Sequence, residues 1–541
     1  MILKKIFKRI LLKTPIYDFY LSKNNFSEIL ITPHDPWPGD ASIGEKILQG
    51  DLSFSSKKKE LKSQKLLWQI NNNNKDFWNE EVHTFSWLRH LKARSGPLAR
   101  KHARKIIIDW LKKNNRWNEK TWRLDIIARR ISSWTTNISF LLADKDEEFS
   151  SILKENLFKQ IKHLNTFTTK KSLEKLDKVY AKDDSSIKKF KILRGLVLSG
   201  VCLEGSQKSY EKSLALLKNE ILSNFNEEGV HFSRLPSAQL SILGDLITIR
   251  DIIMAAKIDV PEYLSSQIKK SAHSLRFFRT LDGTLSTFNG SKRETKFVID
   301  KILNAADGKA RGKGPLTLIS SGYVKLLVPE ACVIIDTLAT NNKALSKTPH
   351  ALEVYVGKNR LLGSCGSSFS KNTEWKKILK STAAHSGVSL EDSDAFIGTD
   401  LKQKTFSKRY TKDGSELAEL IHYGYFNRFS TICFRKIELG NNGKNIAGLD
   451  KIESKKLNKF NIRFHFSPDI KISLSLDKKS VVLVTKEQGW RFLYEGQAKL
   501  SLDPSIFIQD DGKISSTFQI VLSGSTKNPQ TNILWGFKRI S

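Results

Sequence analysis

Apolar residues in the first half of the chain recur three or four positions apart, and short polar stretches separate the groups. This spacing predicts successive amphipathic helices from about Phe77 to Asp282. The clearest helix begins near Pro261, since proline is tolerated in the first turn of a helix. Its apolar stripe has to be buried, and it consists of Leu264, Ile268, Ala272 and Leu275. The other predicted helices span residues 81–93, 98–112, 122–142, 187–203, 209–224 and 238–256, and their short connections favour antiparallel packing.

The pattern changes after a run rich in glycine and basic residues, Asp307-Gly308-Lys309-Ala310-Arg311-Gly312-Lys313-Gly314-Pro315. This composition is typical of a linker, which we place at residues 307–316. Beyond it, apolar and polar residues alternate as in strands, at Leu352, Val354 and Val356, at Ile470, Ile472, Leu474 and Leu476, and at Phe518, Ile520 and Leu522. Many short strands separated by turns indicate an antiparallel β-sandwich. We therefore predict a lead segment (1–70) that packs on a helical domain (71–306), followed by a β-sandwich domain (317–541).

The charge of the chain is strongly unbalanced. Its 541 residues include 90 Lys and Arg against 56 Asp and Glu, a formal net charge of +34. Such a charge attracts polyphosphates, acidic polysaccharides and anionic lipids, although a genome-wide bias towards lysine, asparagine and isoleucine would explain the same excess. The basic residues are spread along the chain and no nucleic-acid-binding motif accompanies them, so we expect no nucleic acid among the partners. An acidic polysaccharide is the favoured partner.

No run of 18 or more apolar residues occurs, so the sequence predicts no transmembrane helix. Lysine and arginine interrupt the apolar groups of residues 1–13, which is unlike a secretory signal and favours the cytoplasm. A helical face in this segment would rest on a membrane surface or pack on the protein itself, and it consists of Ile2, Leu3, Ile6, Phe7, Ile10 and Leu11. Peripheral membrane contact through the N-terminus is therefore one expectation, and the sequence does not indicate the oligomeric state.

Several segments, in order, resemble those of one bacterial protein family. They are PHDPWPGDASIGEKILQGDLSF, VHTFSWLRHLKA, WRLDIIARRISSW, EEGVHFSRLPSAQL, LRFFRTLDGTLSTFNG, TPHALEVYVGKNRLLGSCG, STAAHSGVSL, GWRFLYEG and FQIVLSGS. From about residue 33 to the C-terminus, the chain resembles the heparinase II/III-like proteins. The resemblance implies an α+β multidomain fold, an incomplete (α/α) toroid joined to an antiparallel β-sandwich. It also implies eliminative cleavage of uronic-acid polysaccharides in a cleft between the domains, and the usual substrates of the family favour the periplasm or cell envelope.

Elimination beside a uronate carboxylate sets three chemical tasks. The carboxylate is neutralised, a base removes the C5 proton, and an acid protonates the leaving sugar oxygen. The segment EEGVHFSRLPSAQL carries an imidazole, a guanidinium and an amide, so we predict His231, Arg234 and Gln239 as catalytic residues, with His350 as a fourth. Family members carry a tyrosine just after the proline of this segment, where this chain has Ser237, so His231 or a residue from elsewhere would replace it. Alternatively, His231, Arg234 and Gln239 only tie a loop to the wall of the helical domain.

Two histidines resemble the ligands of a structural zinc site in the same family. His350 lies in a Thr-Pro-His-Ala segment at a predicted strand edge, and His385 lies in Ala-His-Ser. Family members supply a carboxylate between them, whereas this chain has Cys365 in LLGSCG. A thiolate and two imidazoles suit zinc, so the predicted cofactor is one zinc ion held by His350, Cys365 and His385. Alternatively, these histidines are hydrogen-bonded structural residues, and the four scattered cysteines, which form no CxxC pair, are buried free thiols.

A further group of candidates precedes the linker. Arg276 and Arg279 stand at a helix end, and Asn289 follows in a loop bounded by glycine. Guanidinium groups match the geometry of carboxylates and sulfates, so we predict that these three residues bind the substrate. Alternatively, the arginines only complement the dipole at the C-terminus of the helix.

The sequence therefore supports two functions. The first is a polysaccharide lyase or lyase-like enzyme that cleaves an acidic, uronate-containing polysaccharide by elimination. The second, favoured by the missing tyrosine, is a cell-envelope protein that binds such a polysaccharide without cleaving it.

Overall fold

The computed structural model describes residues 9–23, 31–54, 57–60, 77–144, 146–202, 207–337, 348–367, 373–397, 405–510, 512–527 and 529–541. The chain forms two compact units. The helical unit comprises Met1–Asn224, Ser241–Lys269 and Lys301–Gly308. The β-rich unit comprises Phe225–Leu240, Lys270–Asp300 and Lys309–Ser541. Residues 225–240 and 270–300 thus belong to the β-rich unit, although they precede its strands in sequence.

The helical unit contains a hairpin in which β1 (Asp51–Phe54) pairs with β2 (Lys57–Glu60) in antiparallel register. Its helices are α1 (Pro15–Ser22), α2 (Ala41–Leu48), α3 (Phe77–Val82), α4 (Leu88–Arg94), α5 (Gly96–Asn114), α6 (Leu124–Thr136), α7 (Ile138–Leu141), α8 (Glu147–Phe167), α9 (Lys170–Val179), α10 (Lys182–Cys202) and α11 (Gln207–Asn224). Each of the next helices has residues in both units, namely α12 (Pro236–Ala255), α13 (Glu262–Phe277) and α14 (Lys296–Asp307). Within the described ranges, no helix is both long enough and apolar enough to cross a bilayer.

Helix α13 shows how the sequence pattern becomes a buried face. It begins just after Pro261, and the four residues of its predicted stripe are at most 1% exposed. Helix α8 shows how a polar residue sets a helix start. The side chain of Asp146 accepts a hydrogen bond from the Phe149 backbone N–H at 2.9 Å, which satisfies a donor that the first turn leaves unpaired.

The core of the helical unit is rich in aromatic residues. Trp110 and Trp134 meet edge to face with ring centroids 5.9 Å apart, and Phe85 packs edge to face against both. The guanidinium carbon of Arg130 lies 4.2 Å from the Trp110 ring centroid. Nε of this fully buried arginine donates to Gln160 Oε1 at 2.6 Å, and Nη1 donates to two backbone carbonyl oxygens. Hydrogen bonds and the indole face therefore stabilise a cation inside an otherwise apolar core.

The described part of the β-rich unit contains the short helices α15 (Thr373–Ile378) and α16 (Phe426–Phe429) and two antiparallel sheets. The strands are β3 (Thr317–Leu318), β4 (Tyr323–Val328), β5 (Ala331–Asp336), β6 (Ala351–Val356), β7 (Asn359–Gly363), β8 (Val388–Leu390), β9 (Thr405–Lys412), β10 (Ser415–Tyr425), β11 (Thr431–Leu439), β12 (Asn445–Ser454), β13 (Lys459–Phe466), β14 (Lys471–Leu474), β15 (Ser480–Val484), β16 (Gly489–Glu495), β17 (Lys499–Ile508), β18 (Ile514–Ser525) and β19 (Gln530–Arg539). One sheet has the order β14-β15-β16-β19-β12-β11-β10-β9. The other has the order β17-β18-β13-β7-β6-β5-β4-β3, with β8 paired to β13.

The two sheets share one apolar core. Phe464 of the second sheet packs against Phe492 and Trp535 of the first, with ring centroids 5.3 and 4.9 Å apart. Buried and more exposed residues alternate along β12, as expected for a strand with one face in the core. The sequence predicts a helical domain followed by an antiparallel β-sandwich, and the structure confirms this fold class.

Two strands depart from simple alternation. Every residue of β6 is buried, because residues 270–300 of the same unit cover its second face, where Thr287 Oγ1 donates to Glu353 Oε1 at 2.6 Å. Strand β14 ends at Leu474, and Leu476 is fully exposed in the turn that follows. This turn includes Lys478 at a φ of 56°, a conformation that no strand accommodates.

Candidate functional site

His231 lies on the loop before α12 and is only 1% exposed. Its Nδ1 is 2.8 Å from Ser233 Oγ, and the Ser233 backbone N–H donates to the same nitrogen at 3.3 Å. The rings of Phe225 and Phe232 lie 5.5 and 4.4 Å from the imidazole, centroid to centroid. Burial lowers the pKa of His231 to about 3. The predicted catalytic base is therefore a neutral imidazole enclosed by its own loop.

Gln239 closes the same loop. Its Oε1 accepts a hydrogen bond from the His231 backbone N–H at 2.9 Å. Its Nε2 donates to Gly229 O at 2.7 Å, to Ser274 Oγ at 3.1 Å and to Ser271 O at 3.3 Å. Both ends of the amide thus brace the protein itself, which is the alternative that the sequence left open for this segment.

Arg234 is buried and adopts a φ of 57°. Its Nη2 donates to Asp336 Oδ1 at 2.5 Å and to Gly322 O at 3.0 Å, and its Nε donates to Ser321 O at 2.8 Å. The guanidinium carbon lies 4.3 Å from the ring centroid of Tyr323. Burial alone would lower the pKa of Arg234, but the charges of Asp336 and Tyr323 and the hydrogen bond to Asp336 together outweigh this effect and leave the pKa raised. The charge of Arg234 is therefore matched inside the β-rich unit.

Asn289 joins Arg234 in this buried cluster. It lies in the 3₁₀ turn Phe288–Gly290, and its Nδ2 donates to Arg234 O at 3.1 Å and to Tyr323 OH at 2.9 Å. A residue predicted for catalysis and one predicted for substrate binding thus meet around Tyr323. The sequence analysis missed Tyr323 and Asp336, because an aromatic residue and an acid at strand positions give no distinctive local signal.

Arg276 and Arg279 contact the linker. Nη2 of Arg276 donates to Lys309 O at 2.5 Å, and Nη1 of Arg279 donates to Ala310 O at 2.6 Å. Arg279 also forms an ion pair with Asp300. The two arginines hold the linker against the end of α13, and their contact with a substrate stays a prediction.

His350 is buried and has a φ of 60°. Its ring centroid is 4.6 Å from that of His422, and its carbonyl oxygen accepts from Arg435 Nη1 at 2.9 Å. Its Nε2 is buried and has no hydrogen-bond partner. Burial lowers the pKa of His350 well below its ordinary value, and the neighbouring His422 and Arg435 lower it further. This imidazole is therefore neutral and enclosed, like that of His231.

The predicted zinc ligands are not assembled into a metal site. Cys365 Sγ lies 3.5 Å from Nδ1 of His465, a residue that the sequence analysis did not consider, and His385 Nε2 lies 3.1 Å from Leu379 O. Across the described residues, no three His, Cys, Asp or Glu side chains form a group that could hold a metal ion. His350, Cys365 and His385 therefore do not fit the predicted zinc site.

A polar cavity of about 370 Å³ lies within the β-rich unit. Its volume falls in the range of roughly 300–1,000 Å³ that is typical of small-ligand sites. The charged residues of its wall are two arginines, Arg293 and Arg360, and two acids, Asp469 and Asp510. The remaining wall residues are Thr287, Ser367, Ser467, Pro468, Phe507 and Gln509. The sequence analysis named none of these ten residues.

Arg360 is the buried cation of this cavity. It is 5% exposed, and its guanidinium carbon lies 4.6 Å from the ring centroid of Phe507. Its Nη1 donates to Thr287 Oγ1 at 2.9 Å, whereas its buried Nε has no hydrogen-bond partner. A buried donor without a partner costs about 1–3 kcal/mol.

Arg293 is the more exposed cation. It forms an ion pair with Asp282, and its Nε donates to Thr284 Oγ1 at 3.0 Å. Its backbone N–H donates to Asp510 Oδ2 at 3.0 Å. Burial raises the pKa of Asp510, so this carboxyl group takes up a proton more readily than an exposed one. The cavity thus offers guanidinium donors to a carboxylate, and carboxyl, hydroxyl and amide groups to neutral hydroxyls.

Two comparisons of sequence find relatives of this chain. The profile of the heparinase II/III-like C-terminal family matches residues 311–536. FtsZ-localized protein C from Caulobacter vibrioides is 26% identical over an alignment of 527 residues that covers 92% of this chain and 87% of that protein.

Solved heparinase structures resemble the chain over most of its length. The crystal structure of heparinase III matches with a TM-score of 0.72 at 12% identity, over 97% of this chain and 89% of that one. Heparan sulfate lyase HepC from Pedobacter heparinus matches with a TM-score of 0.60 at 14% identity, over 92% of this chain and 82% of that one. Identities this low establish a common fold and leave the activity of this chain undetermined. Residues 311–536 thus match the heparinase II/III-like C-terminal family, and the chain has the fold of heparinase III.

Proposed function

We propose that this protein binds an acidic polysaccharide in the cavity lined by Arg293 and Arg360, and that it does not cleave the polymer. The observation that carries this proposal is the guanidinium group of Arg360, which is buried in the wall of a polar cavity with one donor unpartnered. A uronate carboxylate would accept charge-assisted hydrogen bonds from the two arginines. Sugar hydroxyls would bind Asp469 and Asp510, and an apolar sugar face would pack on Phe507.

The charge balance of the cavity favours a uronate over a heavily sulfated sugar. Its wall carries two arginines and two acids, so the cavity is not strongly positive. One carboxylate and several hydroxyls per sugar match this arrangement, whereas the acids would repel several sulfates. The net charge of +34 still concentrates polyanions around the whole molecule.

Cleavage by elimination requires a base that reaches the C5 proton. His231 and His350 are both buried, and burial lowers the pKa of each imidazole. Ser237 stands where the family resemblance places a tyrosine, and a serine hydroxyl is a far weaker acid than a phenol. We therefore propose glycan binding, and not lyase activity, as the function of this chain.

Binding and cleavage are separated by one set of measurements. Polygalacturonate, alginate and hyaluronan are titrated calorimetrically, and parallel samples are followed by ultraviolet absorbance for the unsaturated product of elimination. We expect binding to at least one of these uronate polymers without a rise in absorbance. A rise that scales with protein concentration would show that the protein is a lyase and contradict the proposal.

Two variants test whether the cavity is the binding site. Arg293→Gln and Arg360→Gln each remove a charge-assisted donor, so affinity for the polymer should fall about tenfold or more. Arg491→Gln is the matched control, because Arg491 is an exposed arginine of β16 outside the cavity wall. Equal affinities for all three variants would place the glycan elsewhere.

A second candidate function is association with FtsZ. The similarity to FtsZ-localized protein C favours it, since it extends over nearly the full length of both chains. We propose that this protein co-sediments with FtsZ polymers assembled with GTP. Lysozyme, another basic protein, controls for adsorption by charge. Recovery in the supernatant, or equal pelleting of lysozyme, would contradict an association with FtsZ.

We also propose peripheral contact with an anionic membrane through the first helices. Ile10, Ile16 and Phe19 are 58%, 72% and 70% exposed, and Arg9 and Lys13 are exposed nearby. An apolar helix surface flanked by basic residues binds the interface of anionic bilayers. Four members of the predicted face lie outside the described residues, namely Ile2, Leu3, Ile6 and Phe7.

Vesicle flotation tests this membrane contact. We expect the protein to float with vesicles that contain phosphatidylglycerol and not with neutral phosphatidylcholine vesicles. The double variant Ile16→Ser, Phe19→Ser should lose flotation, whereas Leu222→Ser, at a leucine 68% exposed in α11, should retain it. If the wild type did not float but formed a dimer, and the double variant did not form this dimer, the surface would serve self-association.

A further inference from the structure

The helical unit contains a cluster of cationic side chains that the proposed functions do not use. Its members are Arg89 from α4, Arg129 from α6, and Lys191 and Arg194 from α10. The side chains of Arg129, Lys191 and Arg194 are 21%, 20% and 13% exposed. The cluster is therefore largely buried and still reachable from solvent.

Two carboxylates bind these cations. Glu81 accepts hydrogen bonds from both terminal nitrogens of Arg129, at 2.5 and 2.6 Å. Asp245 is fully buried, accepts from Arg194 Nη1 at 2.8 Å and lies 3.4 Å from Lys191 Nζ. These ion pairs hold the cationic side chains in fixed positions.

Arg89 is the remaining cation. Its guanidinium carbon lies 6.0 Å from the ring centroid of Trp37. Burial lowers the pKa of Arg89, and the charge of Asp35 offsets only part of that effect. Among the groups of this cluster, four cations face three carboxylates, Glu81, Asp245 and Asp35, because Asp125, whose charge also acts on Arg129, is bound by Arg123 and Lys188.

Lys191 is the residue most sensitive to this excess charge. Burial lowers the pKa of Lys191 to about 8, with the charges of Asp245 and Glu81 raising it and those of Arg129 and Arg194 lowering it. A bound anion would favour the protonated ammonium, because an opposite charge stabilises the charged form. Anion binding and protonation of Lys191 are therefore linked.

We propose that this cluster is a binding site for an anionic group, a carboxylate or a phosphate, held by Arg129, Lys191 and Arg194. A guanidinium group has five N–H donors, and the bonds from Arg194 to Asp245 and to Ser132 use two of them. The segments SWLRHL and IARRISSW, which carry part of the family resemblance, supply Arg89 and Arg129, and PHDPWPGD supplies the neighbours of Arg89, Asp35 and Trp37. The site shares no residue with the cavity of the β-rich unit and stands independently of the glycan-binding proposal.

Proton uptake on binding tests the proposal directly. Sodium glucuronate and inorganic phosphate are the probes, titrated calorimetrically between about pH 7 and pH 9.5 in two buffers of different ionisation enthalpy. At about pH 8–9, binding should take up a fraction of a proton, and affinity should fall as the pH rises further. The charged groups that the cavity offers to a carboxylate are arginines, and arginine side chains as a class do not titrate in this range. Binding in the β-rich unit would therefore show no such dependence.

Variants of one residue locate the effect. Lys191→Met should weaken binding about tenfold or more and abolish proton uptake. Lys191→Arg keeps the charge and should bind without taking up a proton, since arginine does not titrate in this range. Lys101→Met, at an exposed lysine of α5, is the control and should behave like the wild type.

The outcomes distinguish the ligand classes. A response to glucuronate alone indicates a carboxylate ligand, a response to phosphate alone indicates a phosphate ligand, and a response to both indicates a general oxyanion site. Wild-type protein that binds neither probe at millimolar concentration, or that binds without proton uptake, overturns the proposal. Both of these results come from the wild type and need no folded variant.

Discussion

Arg234 and Asp336 form an ion pair inside the β-rich unit, with Nη2 and Oδ1 2.5 Å apart and side chains 8% and 1% exposed. Arg234 belongs to the loop before α12, and Asp336 is the last residue of β5, so the pair ties this loop to the sheet. The charge that would make Arg234 a ligand for a substrate carboxylate is already matched by Asp336. Arg234 and Gln239 of the segment EEGVHFSRLPSAQL therefore both brace the fold.

Removal of one partner of this pair should destabilise the protein without weakening glycan binding. Asp336→Asn leaves the Arg234 guanidinium buried without its counter-charge, which costs about 3–5 kcal/mol. Urea unfolding followed by tryptophan fluorescence measures the loss. Arg539→Gln breaks the exposed pair with Glu330 and should cost under about 1 kcal/mol. If Asp336→Asn were as stable as the wild type but no longer bound uronate polymers, Arg234 would have a functional role.

The fold could be predicted from the sequence because the signals that set it are local. The stripe of α13 repeats every three or four residues, and the alternation in β12 repeats every two, so neither depends on distant parts of the chain. Exceptions arise where tertiary packing overrides the pattern. Strand β6 is buried on both faces because residues of the same unit, among them Thr287, cover it.

The candidate site could be predicted only in part, because residue type does not reveal burial. His231 and Gln239 do meet, since only eight positions separate them in sequence, but nothing local shows that both are enclosed. The cavity was missed for a related reason. Arg293, Arg360 and Asp510 are far apart along the chain, and only Arg360 lies in one of the segments that carry the family resemblance.

Three buried histidines should make the fold sensitive to acid. Burial lowers the pKa values of His231, His422 and His465 to about 3, whereas an unfolded imidazole titrates near about 6.5. Between these values the unfolded state binds more protons than the folded state. Each histidine therefore contributes stability that is fully present above about pH 6.5 and falls by about 1.4 kcal/mol per pH unit below it. Urea unfolding at several values between about pH 7.5 and pH 5 should show this steep decline.

His422→Gln tests the origin of the acid sensitivity. The Gly424 backbone N–H donates to Nδ1 of His422 at 3.2 Å, so this nitrogen carries no proton in the folded state. The variant lacks the titrating group, and its stability should therefore decline less steeply, by about 1.4 kcal/mol per pH unit, whatever its stability at neutral pH. A slope equal to that of the wild type would exclude His422 as a source.

The cysteines should be unreactive in the folded protein. Cys202, Cys332, Cys365 and Cys433 are all buried free thiols. Burial raises the pKa of Cys202 to about 12 and that of Cys365 to about 11, and the thiolate is the form that reacts. Dithionitrobenzoate at about pH 8 should label native protein slowly and all four thiols after unfolding in urea. Rapid labelling of a native thiol would reveal a local opening.

A single glycine holds one wall of the cavity in place. Gly366 has a φ of 107°, and an added Cβ would lie 2.1 Å from the carbonyl oxygen of Ile508. The neighbouring Ser367 lines the cavity, and its backbone N–H donates to that same oxygen at 2.9 Å. Gly366→Ala should therefore displace the wall, reducing both the free energy of unfolding and the affinity for a uronate polymer.

Gly512→Ala separates the two causes of this effect. Gly512 also has a positive φ, 85°, but an added Cβ would meet nothing within 4 Å. Its substitution should cost only the conformational strain, about 1–2 kcal/mol, and should leave uronate affinity unchanged. Gly366→Ala carries the same strain and a backbone clash in addition, so its unfolding free energy should fall further. The clash in Gly366→Ala lies at the cavity wall. If both variants lost the same stability and kept their affinity for a uronate polymer, Ser367 would not shape the glycan site.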